Sequence, residues 1–331
     1  MKLLDCTLRD GGNIPGKGFT VEDTKTIIEG LIRSNITTIE MGNCTGIGSF
    51  QIQNVPNTPT DIEYLEAIQP YVNKAEIGMF CLAKNATDEN ISLAKKYHLN
   101  FLRVGANAGD AESAYEGIKR VKAAGLVCRY SLMKAYVLTP EELAEEAVQL
   151  EKWGLDEITI MDSAGTMSPE DVKSYVTVMK SKVSIPIGFH GHNNLGLSAA
   201  NGLVAAENGA DVIDCGLLGM ARSAGNCATE VITSLFQRNH KLKEVNFLEL
   251  LAFVDKNVMP IAEKYNYHAP IKPFDLVLGY SGAHSGFTQL FKLTADKYGV
   301  NLYQLIMEVS LINRKNPSVE LIEEIALKLV K

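Results

Sequence analysis

Two histidines separated by one glycine, His190 and His192, lie in FHGHNNLG (189–196), and the 331-residue chain has only six histidines. Residues two apart on a strand point to the same side. At a strand end both imidazoles would face one spot, which suits a divalent metal ion. A carboxylate to complete the set stands in TLRDGG (7–12), where Asp10 follows Arg9. Two imidazoles and one carboxylate hold an ion and leave positions open for substrate and water. The set is harder than that of a structural zinc site, so Mn2+ or Mg2+ is expected, with Zn2+, Fe2+ and Co2+ also compatible. The plain alternative for the HxH pair alone is two polar loop residues.

Other residues nearby could act on a substrate. Arg9 offers a fixed fork of donors for a carboxylate or enolate oxygen, or else only a salt bridge. Gly11 and Gly12 permit backbone angles that other residues resist, and they form a tight turn. Ser163, after Asp162, either donates to a substrate carboxylate or caps a local turn. Asn226 either orients a ligand of the ion from behind or caps the helix that begins near TEVITSLFQ.

These residues need a scaffold that brings them together. Eight short apolar runs read as strands: 2–7, 37–42, 75–81, 100–105, 126–133, 157–162, 185–190 and 211–216. Helical patterns separate them. VEDTKTIIEGLIRSN (21–35) places Ile27, Ile28, Leu31 and Ile32 on one face. TPEELAEEAVQLEKWG (139–154) opens with a capping-box pattern, Thr139 and Glu142, and SPEDVKSYVTVMK (168–180) opens the same way with Ser168 and Asp171. Strands rich in Ile, Val and Leu with helical crossovers form a parallel sheet. Eight such units in residues 1–240 predict a (β/α)8 TIM barrel. An open doubly wound sheet would call for a phosphate loop after the first strand, and RDGGNIPGKG matches neither common form. In a barrel, catalytic side chains project from the C-terminal ends of strands. Asp10, Ser163, the histidine pair and the loop to Asn226 all follow such ends, so they fall on one face. Residues 241–331 read as helices packed on the barrel as an extension.

Composition narrows the function. A hydrophobic content of 46% supports a large core, and a net charge of −7 with no basic block speaks against nucleic acid. No apolar run approaches a membrane span, and the start MKLLDCTLRD is unlike a signal peptide. The six cysteines show no CxxC and suit reduced thiols, so a cytoplasmic location is expected.

DCTLRDGG, FHGHNNLG and GMARSAGNCATE together resemble the metal-dependent lyases and synthases that metabolise pyruvate on TIM barrels. That superfamily includes hydroxymethylglutaryl-CoA lyase and the isopropylmalate and homocitrate synthases. IEMGNCTGIGSF (39–50), MDSAGTMS (161–168) and LGYSGAHSGF (278–287) bring the resemblance closest to the 4-hydroxy-2-oxovalerate aldolase branch, across nearly the whole chain. The resemblance implies that Asp10, His190 and His192 hold the ion, that Arg9 stabilises a pyruvate enolate on it, and that Ser163 touches the pyruvate carboxylate. It implies a class II aldolase acting on a 4-hydroxy-2-oxo acid, a homo-oligomer, and an aldehyde dehydrogenase as a partner. Two positions depart from the aldolase pattern. Asn13 stands where those enzymes carry their acid–base histidine, and His284 stands where they carry a tyrosine. Asn13 is then expected to bind substrate. His284 is expected to relay the proton of the 4-hydroxyl, or else to line the channel. The competing readings are a Claisen-type acyl-CoA lyase or synthase and a non-catalytic barrel. Met220-Ala221-Arg222 stands where the synthases often carry a glutamate or cysteine.

Overall fold

The computed structural model describes residues 1–49, 58–268, 277–279 and 281–330. Two positions of the motifs above, Phe50 and Tyr280, lie outside the described residues.

Eight parallel strands close into a barrel in sequence order: β1 (Lys2–Asp5), β2 (Thr38–Met41), β3 (Glu76–Leu82), β4 (Phe101–Asn107), β5 (Val127–Met133), β6 (Glu157–Asp162), β7 (Ile187–Gly191) and β8 (Val212–Cys215). β1 pairs with β8, Asp5 opposite Cys215, and this closes the sheet. β6 and β7 run in register with Met161 opposite His190, which sets the end of the histidine strand beside Ser163.

Helices α1 (Val21–Arg33), α2 (Asp61–Ala67), α3 (Asp88–Lys96), α4 (Tyr115–Ala123), α5 (Pro140–Lys152), α6 (Pro169–Lys182), α7 (Ser198–Glu207) and α8 (Thr229–Arg238) alternate with the strands. The expected capping boxes are present: Thr139 with Glu142 opens α5, and Ser168 with Asp171 opens α6. Each satisfies orphan N–H groups of a first turn. On α1, Ile27, Ile28 and Leu31 are fully buried and Ile32 partly so.

After the barrel, α9 (Phe247–Phe253), a π-helical turn (Val254–Val258) and α10 (Met259–Lys264) pack into the barrel's apolar cluster through Leu250, Phe253, Val258 and Ile261. Helices α11 (Thr288–Tyr298), α12 (Leu302–Ile312) and α13 (Val319–Leu329) form a small core of their own around Phe291, Leu305 and Ile322. Among the described residues, no helix is long and apolar enough to cross a membrane. All six cysteines are buried free thiols.

The centre of the barrel is polar. Glu40, Arg103, Thr159 and Asp214 come from β2, β4, β6 and β8, the alternate-strand layer that fills such barrels. Arg103 donates to both Glu40 oxygens, at 2.5 Å and 2.8 Å, and to Asp214 Oδ2 at 2.6 Å. Its Nη1 also reaches Thr159 Oγ1 at 3.4 Å. Buried charges are tolerated only when paired and hydrogen-bonded. This layer is the floor of the site.

Candidate active site

One donor atom each from Asp10, His190 and His192 lies within 4.8 Å of the others, and all three residues are buried. Asp10 Oδ2 stands 3.5 Å from His190 Nε2 and 3.6 Å from His192 Nε2. Ligands about 2.1 Å from a common ion, at angles of 90° or more, stand about 3 Å or more apart, so the separations fit. The floor fixes one imidazole. His190 Nδ1 lies 3.0 Å from Asp214 Oδ2, and it donates there because Asp214 can only accept. Its Nε2 is then a bare lone pair, buried and without a hydrogen-bond partner. A lone pair facing a carboxylate in a dry pocket calls for a cation between them. Asp214 stands where a carboxylate would orient a ligating histidine from behind.

The charges agree. Burial opposes ionisation of Asp10, but Arg9, then His190 and His192, hold its carboxyl well below the usual range. Burial, with His190, Arg222 and Arg9 nearby, pushes His192 down to about 3, which leaves it neutral and able to ligate. Burial also works against a charged His190, but the neighbouring carboxylates of Asp10 and Asp214 raise its pKa, so a proton competes for the same lone pair. Three buried carboxylates, Asp10, Glu40 and Asp214, face two guanidiniums, Arg9 and Arg103. With neutral imidazoles the inner cluster is one positive charge short. A second group, Cys6 with His190 and Asp214, also has close donors. There Asp214 is already held by Arg103, and burial raises the Cys6 thiol well above its ordinary pKa.

Arg9 forms its salt bridge and keeps a free hand. Nε donates to Glu40 at 2.6 Å and Nη1 lies 3.1 Å from Asp10, while Nη2 is buried without a partner. Asn226 Nδ2 donates to Asp10 Oδ2 at 2.8 Å. It does not cap α8, whose N-cap is Ala228. Ser163 Oγ accepts from the Lys134 N–H at 3.0 Å, which leaves its own O–H to donate. Arg9, Ser163, His190, His192 and His284 all line one cavity of about 190 Å3, together with Lys134 and Arg222. Phe80, Leu82, Met133 and Met161 supply apolar wall. Wider openings near Lys2 and near Met307 hold none of this chemistry.

The structure places three further positions. Asn13 is not among the residues lining the cavity; its Nδ2 donates to the Asp10 carbonyl at 2.9 Å and approaches Asp10 Oδ1 at 3.4 Å. It braces the aspartate. His284 does reach the cavity, but its Nδ1 accepts from the Gly286 N–H at 3.0 Å. The neutral ring therefore carries its proton on Nε2 and presents a donor, where a relay from the 4-hydroxyl needs an acceptor. Burial, Arg222 and Lys134 hold its pKa well below 6.5, so it stays neutral. Gly11 and Gly12 sit in a short 3-10 turn at ordinary negative angles, in tight quarters: a Cβ would lie 3.1 Å from Met220 O and 3.2 Å from Gly18 Cα respectively. Sequence reading missed Glu40, Arg103 and Asp214, and Lys134 too. The available signal was a charged residue in the middle of an apolar strand, with its side chain alternating into the barrel.

A closed parallel barrel whose C-terminal face holds a divalent-metal ligand set beside a buried arginine defines a metal-assisted barrel enzyme. The chain belongs to the HMGL-like family, whose profile matches residues 1–256. It is 36% identical over 307 residues to 4-hydroxy-2-oxovalerate aldolase 2 of Nocardia farcinica, covering 93% of this chain and 88% of that protein. It is 30% identical over 331 residues to 4-hydroxy-2-oxovalerate aldolase of Carboxydothermus hydrogenoformans, covering 100% and 98%. The carboxyl transferase domain of Rhizobium etli pyruvate carboxylase, solved with pyruvate, superposes with a TM-score of 0.81 at 17% identity, over 100% of this chain and 60% of that one. At that identity the likeness is one of fold.

Proposed function

We propose that this protein is a class II aldolase that cleaves or forms a 4-hydroxy-2-oxo acid with pyruvate as the common half, using Mn2+ or Mg2+ held by Asp10, His190 and His192. The observation that carries the reading is the partnerless, buried His190 Nε2 facing Asp10 across the floor of a small cavity. When bound there, the ion supplies Lewis acidity to the carboxylate and 2-oxo oxygens of the substrate. The chain's own groups do the rest. As the C3–C4 bond breaks, its electron pair enters the C2–C3 enolate and the 4-hydroxyl oxygen becomes an aldehyde. Arg9 Nη2, fixed by the bonds of its other nitrogens to Glu40 and Asp10, donates to the growing enolate oxygen. Ser163 O–H donates to the substrate carboxylate. His284 Nε2–H holds the oxygen on C4 as its proton leaves to water. Asn226 and Asn13 fix the Asp10 carboxylate.

The cavity's small volume supports a small 2-oxo acid over an acyl-CoA. The test is pyruvate release from 4-hydroxy-2-oxovalerate, followed with a coupled lactate dehydrogenase, against thiol release from acyl-CoA esters. Divalent-ion-dependent pyruvate is the expected result. Thiol release without pyruvate would turn the reading to the Claisen branch.

A further inference from the structure

Lys134 and Arg222 stand out because neither forms an ion pair with an Asp or Glu among the described residues. No Asp or Glu is among the described residues that line the cavity, yet Arg9, Lys134 and Arg222 all line it. Arg9 is engaged by Glu40 and Asp10. Arg222 forms no ion pair among the described residues, and its Nε is buried without a hydrogen-bond partner. Lys134 is 8% exposed, and its Nζ donates to the Lys315 carbonyl at 2.6 Å, which leaves its charge uncompensated. Lys134 and the residue after Arg222 sit on constrained backbone. Lys134 itself is left-handed at φ 56°, and Ser223, next to Arg222, is at φ 60°. Such angles in residues other than glycine persist only where the surroundings enforce them.

Charge accounting shows what the pair is for. The inner cluster has three carboxylates and two guanidiniums, so a divalent ion leaves it with one positive charge. The carboxylate of one 2-oxo acid neutralises that charge. Lys134 and Arg222 remain, two cations with no carboxylate in contact among the described residues. Their mutual repulsion is visible: burial, then Lys315 and Arg222, bring Lys134 down to about 8. Arg222 lines the same cavity as His192 and His284.

The geometry points to a second anion subsite made by Lys134 and Arg222, which selects a 4-hydroxy-2-oxo acid whose aldehyde half carries its own carboxylate or phosphate. The inference rests on the aldolase reading for the chemistry but not for the binding, so the two are tested apart.

Binding is measured by calorimetric titration of the Mn2+-loaded protein. 2-Oxoglutarate is compared with 2-oxovalerate, a chain of the same length without the distal anion, and inorganic phosphate is titrated into pyruvate-saturated protein. A charge-assisted contact is worth about 10–100-fold in affinity, so either 2-oxoglutarate exceeds 2-oxovalerate by that factor or phosphate binds. The first result assigns the subsite to carboxylate and the second to phosphate. Arg222→Gln and Lys134→Met should each abolish the advantage, and Arg222→Lys should restore most of it. Equal affinity for the two oxo acids with no phosphate binding overturns the subsite. So does an advantage that survives Arg222→Gln. Turnover is then read as the ratio of kcat/KM for condensing pyruvate with glyoxylate or glyceraldehyde 3-phosphate against acetaldehyde. A ratio of about 10 or more that collapses in Arg222→Gln is expected, and equal use of all three overturns the substrate class. Selective binding with no condensation at all leaves the subsite standing and refutes the aldolase reading.

Discussion

His190 shows how one side chain is specified from below. Asp214 takes the proton of Nδ1, Arg103 holds Asp214, and Nε2 is left bare toward Asp10. Asn226 fixes the other side of the ligand set, and Asn226→Ala should weaken Mn2+ binding about 10–100-fold, as removal of an outer partner commonly does. Titration of the metal-free protein with Mn2+, read by electron paramagnetic resonance, checks it, and unchanged affinity would show that Asp10 needs no support. Lys134 gives a stability prediction. Its folded pKa of about 8 lies below the ordinary 10.5, so below pH 8 the buried charge costs about 3 kcal/mol of stability, at most. The unfolded chain binds more protons between pH 8 and 10.5, so the penalty fades as pH rises through that window. Losing the bond to Lys315 costs about 1 kcal/mol and solvent screening lowers the penalty further, so Lys134→Met should stabilise the fold by no more than about 1–2 kcal/mol at pH 7 and by less above pH 10. Urea denaturation at the two pH values measures both. The proximity of His190 and His192 was legible at this scale because residues two apart on a strand face the same side. The charges beneath it were not, because Glu40, Arg103 and Asp214 each read as one polar residue in an apolar run. Nothing local shows that three such runs meet.

At the scale of elements, β7 and the loop after β6 must approach closely to aim His192. Gly165 makes this possible at φ 60°, where an added Cβ would lie 2.5 Å from His192 O and 2.7 Å from Asn194 N. Those are backbone atoms of the metal loop and cannot swing aside. Gly165→Ala should therefore weaken Mn2+ binding and cost about 1–3 kcal/mol in stability, read by metal titration and by urea denaturation. A cap offers the contrast. Ser168→Ala should cost about 1 kcal/mol and leave metal affinity unchanged, because its bonds serve only α6. Strands and caps were plain in the sequence: β6 begins and ends as expected, and both capping boxes formed. Strand ends elsewhere shifted by a residue or two, since pairing with neighbours and not local pattern decides where a ladder stops.

In the whole molecule, the segment after the barrel returns to the site. His284 lines the cavity, and Lys315 and Arg314 tie the same segment to Lys134 and Tyr136 on the barrel. Its helices were readable from their apolar spacing. Its return over the strand ends was not, because long-range docking leaves no periodic trace. Barrel, floor charges and returning segment all serve one chemical claim, that Arg9 and a divalent ion held by Asp10, His190 and His192 stabilise the enolate of a 2-oxo acid. That claim is tested most directly by exchange of pyruvate methyl protons with D2O, followed by proton NMR, which needs no knowledge of the aldehyde. The account predicts exchange with the Mn2+-loaded protein, its loss on chelation, and a fall of about 10²–10³ in Arg9→Ala with Mn2+ still bound. Exchange that persists after chelation, or that proceeds at the normal rate in Arg9→Ala, would contradict it.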